Sequence, residues 1–195
     1  MIGWSDARAA MHADLAAYLN AHEPLAEESA VWGNGTLPLR ITSYLSEKMP
    51  PLHYVTSVRA VLFRGESVMV VRSIQNSIHI VPGGRREEGE SLLETLRREL
   101  LEETGWTIAN PVLLGFVHFH HLAPKPTGYP YPHPDFLQLI YTADAVRFVP
   151  EARVPCMYEL NSGFRPIAAA RTLNMDASLL LYLDAAVARR SASIN

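Results

Sequence analysis

The 195-residue chain has a single cysteine, Cys156, so it can form neither an internal disulfide nor a cysteine-built zinc cluster, which suits a reducing compartment. A lone thiol reads first as a small buried hydrophobe. No apolar run approaches the roughly 20 residues needed to span a bilayer, and the first residues lack a basic stretch leading into an apolar signal core. A cytoplasmic, membrane-free protein is expected. Surplus positive charge is missing too: 17 Lys and Arg stand against 20 Asp and Glu, a formal net charge of -3. That gives no basic footprint for duplex nucleic acid, so an anionic ligand would need locally placed cations or a metal. Internal repeats and low-complexity tracts are absent. What remains is ordinary globular composition, 48% apolar and 19% charged, with a length that suits one domain plus an appendage.

The most informative stretch runs from Gly84 to Trp106 and reads as loop, helix, loop. Gly83 and Gly84 after Pro82 permit a turn closed to other residues. Ser91 and Glu94 have capping-box spacing for a helix starting near residue 91, and Gly105 supplies a left-handed stop. Leu93, Leu96 and Leu100 recur at helical spacing and are expected to bury. Glu99, Glu102 and Glu103 project onto one arc beside that stripe. Like charges so placed weaken a helix by a few tenths of a kcal/mol per pair, and a divalent cation would resolve the conflict.

An ordinary solvated, Glu-rich helix face is the plain alternative. The full spacing goes further: Gly84, five residues, Glu90, seven residues, then Arg98-Glu99-Leu100, Glu102-Glu103, Gly105 and Trp106. A chance match in a chain of this length is on the order of one in ten million. The pattern resembles the Nudix box at every position. The resemblance implies an α/β (α+β) fold, a mixed β-sheet sandwiched between α-helices. It also implies magnesium or manganese held by Glu99, Glu102 and Glu103, an Arg98 paired with Glu90 to brace loop against helix, and turns shaped by Gly84 and Gly105. Magnesium fits on independent grounds, because it takes hard oxygen ligands and usually shares them with substrate phosphates.

Residues 1–50 are expected as an N-terminal helical extension and 51–195 as the hydrolase domain. The spacing predicts a helix over 5–22, capped by Ser5, with a short strand within Leu37 to Leu45. Strands are expected over Val55 to Phe63 and Ser67 to Arg72 around Arg64-Gly65-Glu66, and over Ile78 to Val81. Further strands are expected at Val112 to Leu122, Phe136 to Ala145, Ala152 to Met157 and Gly163 to Ile167. Asn174 to Arg190 reads as a closing helix, Asp176 capping it, with Leu179, Leu180, Leu183 and Val187 packed. Arg189 and Arg190 there suit the helix's negative end.

Period two sends His118 and His120 to one strand face and His121 to the other. The histidines invite a metal reading, which is weak without a carboxylate partner in view. His120 or His118 touching phosphate or base is the other reading, beside side chains merely satisfied in the sheet. Between the two strands lie five prolines in Ala123 to Pro134, with Lys125, Tyr129, Tyr131 and His133. A stiff loop so decorated is read as a substrate contact, the tyrosines stacking on a base and Lys125 near phosphate, against a rigid surface excursion. Glu159 is a candidate accessory carboxylate.

By resemblance the activity is water attack at phosphorus on the phosphoanhydride of a nucleoside diphosphate linked to another group. Candidate substrates are ADP-ribose, a nucleotide sugar or a (d)NTP, with Glu102 or Glu103 taking the proton and Gly83 and Gly84 beside the phosphates. Two alternatives stay open: a Nudix-like module that binds a nucleotide without cleaving it, and hydrolysis of a non-nucleotide diphosphate. A homodimer is implied only because relatives form one.

Overall fold

A computed structural model describes residues 11–32, 35–73, 77–154 and 159–192, with no side-chain description at 159 and 160. The expected cap Ser5, the thiol of Cys156 and the turn at Gly33-Asn34 lie outside the described residues. The class is the expected α/β one, a mixed β-sheet with few helices. Among the described residues no helix is long and apolar enough to cross a membrane. The chain divides into two compact units, Met1–Thr56 with Gly115–Gln138 and Ser57–Leu114 with Leu139–Asn195.

In the first unit, α1 (Ala13–Asn20) buries Leu15 and Leu19. It is followed by β1 (Pro24–Trp32) and β2 (Leu37–Leu45), an antiparallel pair. The segment 1–50, expected as a helical extension with one short strand within Leu37 to Leu45, carries that strand as β2 and a further one, β1, beside the helix. β1 has no fully buried residue, because Glu27, Glu28 and Ser29 leave it without an apolar face to read. β2 also pairs antiparallel with β7 (Trp106–His121), setting Arg40 opposite His120 and Thr42 opposite His118. Aromatic contacts fill the unit. Phe116 stacks on Tyr44 at 4.7 Å, and Phe119 lies parallel to Phe136 of β8 (Asp135–Phe148), also at 4.7 Å.

The second unit is built on β3 (Val55–Arg64), buried nearly throughout, as expected of a strand that reads Val-x-x-Val-x-Ala-Val-Leu-Phe. A turn at Gly65, φ +56°, returns it to β4 (Ser67–Ser73). β4 also pairs with β5 (Ile78–His79) and β9 (Glu159–Pro166), while β3 also pairs with β6 (Gly83–Arg85). The strand expected over Ile78 to Val81 is thus two residues long, and the glycine turn itself forms the next one. Helix α2 (Leu92–Thr104) follows, then α3 (Ile167–Ala170) and α4 (Ala177–Ala192) late in the chain.

Three expectations need correction here. Ala152 is the end of a 3-10 turn and Arg153 and Val154 are not strand, while 155–158 lie outside the described residues. In α4 the buried residues are Ser178, Tyr182, Leu183 and Ala186; Leu179, Leu180 and Val187 are half-buried, so the inward stripe is rotated by about one residue. In α2, Leu93 is half-buried, and Thr95 joins Leu96 and Leu100 inside. Of the arginines closing α4, Arg190 pairs with Asp144 and lies over the Phe63 ring at 4.6 Å, an anchoring that charge pattern alone did not reveal.

Candidate active site

Helix α2 is held at both ends by its own sequence. The Ser91 hydroxyl accepts from the Glu94 amide at 3.3 Å and the Glu94 carboxylate accepts from the Ser91 amide at 2.8 Å, a complete capping box. At the other end Gly105, φ +76°, donates to the Leu101 carbonyl at 2.8 Å and stops the helix. Both termini being fixed, the carboxylates of the last two turns project from a rigid rod.

Arg98 is the hub of the cluster. Its Nε and Nη2 donate to the two oxygens of Glu90 at 2.6 and 2.9 Å, a two-pronged pair. Its Nη1 donates to Glu99 Oε1 at 2.9 Å and Glu102 Oε2 at 3.3 Å, and Nη2 also reaches the Arg85 carbonyl at 3.0 Å. Glu90 further accepts from the Thr95 hydroxyl at 2.8 Å and the Glu87 amide at 3.1 Å. Arg98 and these donors hold the Glu90 carboxyl down at about 2. Sequence reasoning missed Thr95 and the Arg85 carbonyl: a threonine one turn into a helix carries no signal, and a backbone oxygen has none at all.

Glu99 and Glu103 meet the glycine turn. A Cβ on Gly84 would fall 2.6 Å from Glu99 Oε1 and closer still to its Oε2 and Cδ, so only glycine lets that carboxylate lie against the backbone. The Gly83 amide donates to Glu103 Oε2 at 2.6 Å. Gly83 itself has φ +133°, and a Cβ there would sit 2.7 Å from Arg59 Cα. Burial pushes the Glu99 carboxyl up, with Arg98 opposing and Glu102 adding to the rise. Glu102 is the more open of the two, with 39% of its side chain exposed against 15% for Glu99.

Glu90, Arg98, Glu99, Glu102, Glu103, Gly83 and Gly84 are therefore gathered in one unit around the start of β6 and the end of α2. Of the three helix carboxylates, Arg98 holds two, Glu99 and Glu102, and the Gly83 amide donates to the third, Glu103. The donor set is all carboxylate oxygen, the chemistry a hard divalent cation takes.

The other sequence candidates belong to the first unit. Lys125 is exposed, and Tyr129 and Tyr131 are half-buried and meet edge to face at 5.3 Å. The Tyr129 hydroxyl lies 3.0 Å from His121 Nε2. His120 is buried, only 3% exposed, and engages Asp135 rather than an open surface. Asp135 is the carboxylate partner that the histidines seemed to lack. Glu159 opens β9 opposite Ser73, and its side chain is outside the description.

Residues 53–160 match the model of the NUDIX domain, more than half of the chain. Over 59 residues the chain is 37% identical to the uncharacterized Nudix hydrolase YvcI of Bacillus subtilis, covering 30% of this chain and 37% of that protein. The chain thus spans little more than a third of the curated relative's length. Among solved structures it is similar to the Bacillus subtilis pyrophosphohydrolase BsRppH, with TM-score 0.57, 18% identity, and coverage of 86% of this chain and 99% of that one. It is also similar to the NUDIX domain of Shewanella oneidensis NrtR, complexed with ADP ribose, with TM-score 0.52, 19% identity, and coverage of 70% and 88%. These structural likenesses carry the fold. Together with the domain match over the motif described above, they establish that the chain belongs to the Nudix hydrolase family, a family of pyrophosphohydrolases.

Proposed function

We propose that this protein is a metal-dependent hydrolase that cleaves the phosphoanhydride of a nucleoside diphosphate linked to another group, by attack of water at phosphorus. Nudix hydrolases bind nucleotide diphosphate derivatives and typically depend on a divalent metal. The observation that carries the proposal is the Arg98 hub, which holds Glu90, Glu99 and Glu102 in one hydrogen-bonded cluster beside the Gly83-Gly84 turn that receives Glu99 and Glu103.

Glu99, Glu102 and Glu103 would hold magnesium or manganese, which when bound would neutralise phosphate charge and lower the pKa of a coordinated water. Arg98 and Glu90 position these acids without touching substrate. Glu102 or Glu103 accepts the proton of the attacking water. Gly83 and Gly84, which lie against the β3 backbone and Glu99, let the turn pack close enough to hold Glu99 and Glu103 beside the place proposed for the phosphates. The intact set of carboxylates favours hydrolysis over binding without cleavage.

The substrate class is read as ADP-ribose, a nucleotide sugar or a (d)NTP, with Tyr129 and Tyr131 offering aromatic faces for a base and Lys125 a cation for phosphate. The experiment is a panel of nucleoside and non-nucleoside diphosphates with magnesium, read by the identity of both products. A nucleoside monophosphate plus a phosphorylated partner is expected, and cleavage confined to non-nucleotide diphosphates would overturn the substrate reading. Tyr129→Ala combined with Tyr131→Ala should raise KM about tenfold for the preferred nucleotide, the loss of roughly 1.4 kcal/mol of stacking. An unchanged KM would remove the tyrosines from the site.

A further inference from the structure

The acidic motif leaves unexplained a second group of titratable side chains, buried in the other unit. His118 and His120 lie on one face of β7, and Asp135 opens β8 after the proline-rich loop. The His121 amide donates to the Pro134 carbonyl at 2.8 Å, and this bond sets Asp135 alongside the histidines although 15 residues separate it from His120 and 17 from His118. His118 Nε2 and His120 Nδ1 each lie 2.7 Å from the same oxygen, Asp135 Oδ1. All three residues are at most 3% exposed. The other carboxylate oxygen, Oδ2, is buried with no hydrogen-bond partner.

We infer that His118, His120 and Asp135 form a site for a divalent transition-metal ion, zinc first among them, separate from the carboxylates of the Nudix motif. Among the described residues this is the group whose three ligand atoms lie within 4.8 Å of one another. Two imidazoles and one carboxylate are the donors that zinc, cobalt and iron accept and that magnesium and calcium do not seek. An unpartnered carboxylate oxygen in the interior costs free energy, and a cation beside it removes that cost.

The geometry is close to what an ion requires. With metal–ligand bonds near 2.1 Å, a tetrahedral centre separates its ligand atoms by about 3.4 Å. Asp135 Oδ1, now 2.7 Å from each imidazole nitrogen, would therefore draw back about 0.7 Å, or the carboxylate would turn so that Oδ2 takes the ion. A ring nitrogen can ligate an ion only without its hydrogen, so at each histidine the nitrogen facing Asp135 would bind as the bare tautomer. Ions have a way in. Asp135 lines a cavity of about 450 Å³ with His12, Asp14, His53, Lys125 and His133, and His118 lines another with Arg40 and Tyr44. Three protein ligands leave a fourth position for water or an anion from these cavities.

The test uses the full chain, stripped with a chelator, reloaded with cobalt(II) or zinc and passed through a desalting column. Wild type is expected to retain one ion per chain, with a visible cobalt absorption band of a low-coordinate site, and X-ray absorption of the zinc form is expected to show two imidazoles. Glu103→Gln should retain the same ion, because the Nudix motif is not its ligand set. His120→Gln and Asp135→Asn, checked for folding by circular dichroism, should bind at least 100-fold more weakly, at or beyond the 10–100-fold that loss of a ligand's outer partner costs. Retention of no ion by wild type, an all-oxygen shell, or an ion lost in Glu103→Gln and kept in His120→Gln would each overturn the assignment.

Discussion

In Gly84→Ala the added Cβ would arrive within 2.6 Å of the Glu99 carboxylate, and a real contact cannot be much closer than about 3.4 Å. The backbone at Gly84 is not in the left-handed region, so alanine itself is accommodated. What yields is the end of a flexible side chain, and Glu99 must withdraw by roughly 1 Å from its place between Gly84 and Arg98. Folding should change by no more than about 1 kcal/mol, since the collision is partly offset by the lower entropy of the unfolded alanine chain. Catalysis should suffer far more: a misplacement of about 1 Å costs on the order of 100-fold, roughly 2.7 kcal/mol of barrier. The assay pairs kcat for magnesium-dependent hydrolysis with the urea midpoint of the same preparation. Gly83→Ala is the contrast, because its Cβ would strike the backbone of β3 at φ +133°, and it should destabilise by several times as much. Wild-type kcat in a folded Gly84→Ala protein would refute the placement of Glu99 at the reaction centre.

Two further outcomes concern pH. Glu90 is held at about 2 in the fold against an ordinary value of 4.5, so its pair with Arg98 stabilises fully above pH 4.5 and is lost as pH falls toward 2. The difference in urea midpoint between wild type and Glu90→Gln should therefore be largest at neutral pH and shrink across that window; a constant difference would count against the pair. His79 of β5 is pushed down to about 4 by burial and by the Arg59 charge. The unfolded chain then takes up its proton first, near pH 6.5, so stability falls as pH drops from 6.5 to 4, by up to about 3 kcal/mol. His79→Gln should flatten that slope, as read by denaturation at a series of pH values.

The parts of the molecule legible in the sequence are those fixed by contacts near in the chain. Ser91, Glu94 and Gly105 define α2 within its own length, and β3 and β4 announce themselves by apolar runs around Gly65. Glu90 and Arg98 are eight residues apart, and their pairing is likewise local. Asp135 was hidden because its partners lie across a proline-rich loop and are joined to it through the fold, not by any spacing. β1 was hidden for another reason: it buries no residue fully, so no alternation exists to be read. In α4 Leu183 goes inside as expected, but Leu179 and Leu180 draw the expected face off by about a residue, whereas Tyr182 and Ala186, less hydrophobic by type, are buried with it.

The most direct test is turnover of the preferred nucleoside diphosphate derivative by Glu103→Gln in saturating magnesium. Whether Glu103 binds the ion or takes the proton, kcat should fall by about 100- to 10,000-fold while Arg98 and Glu90 keep the helix in place. A folded Glu103→Gln protein that turns over at the wild-type rate would contradict the account.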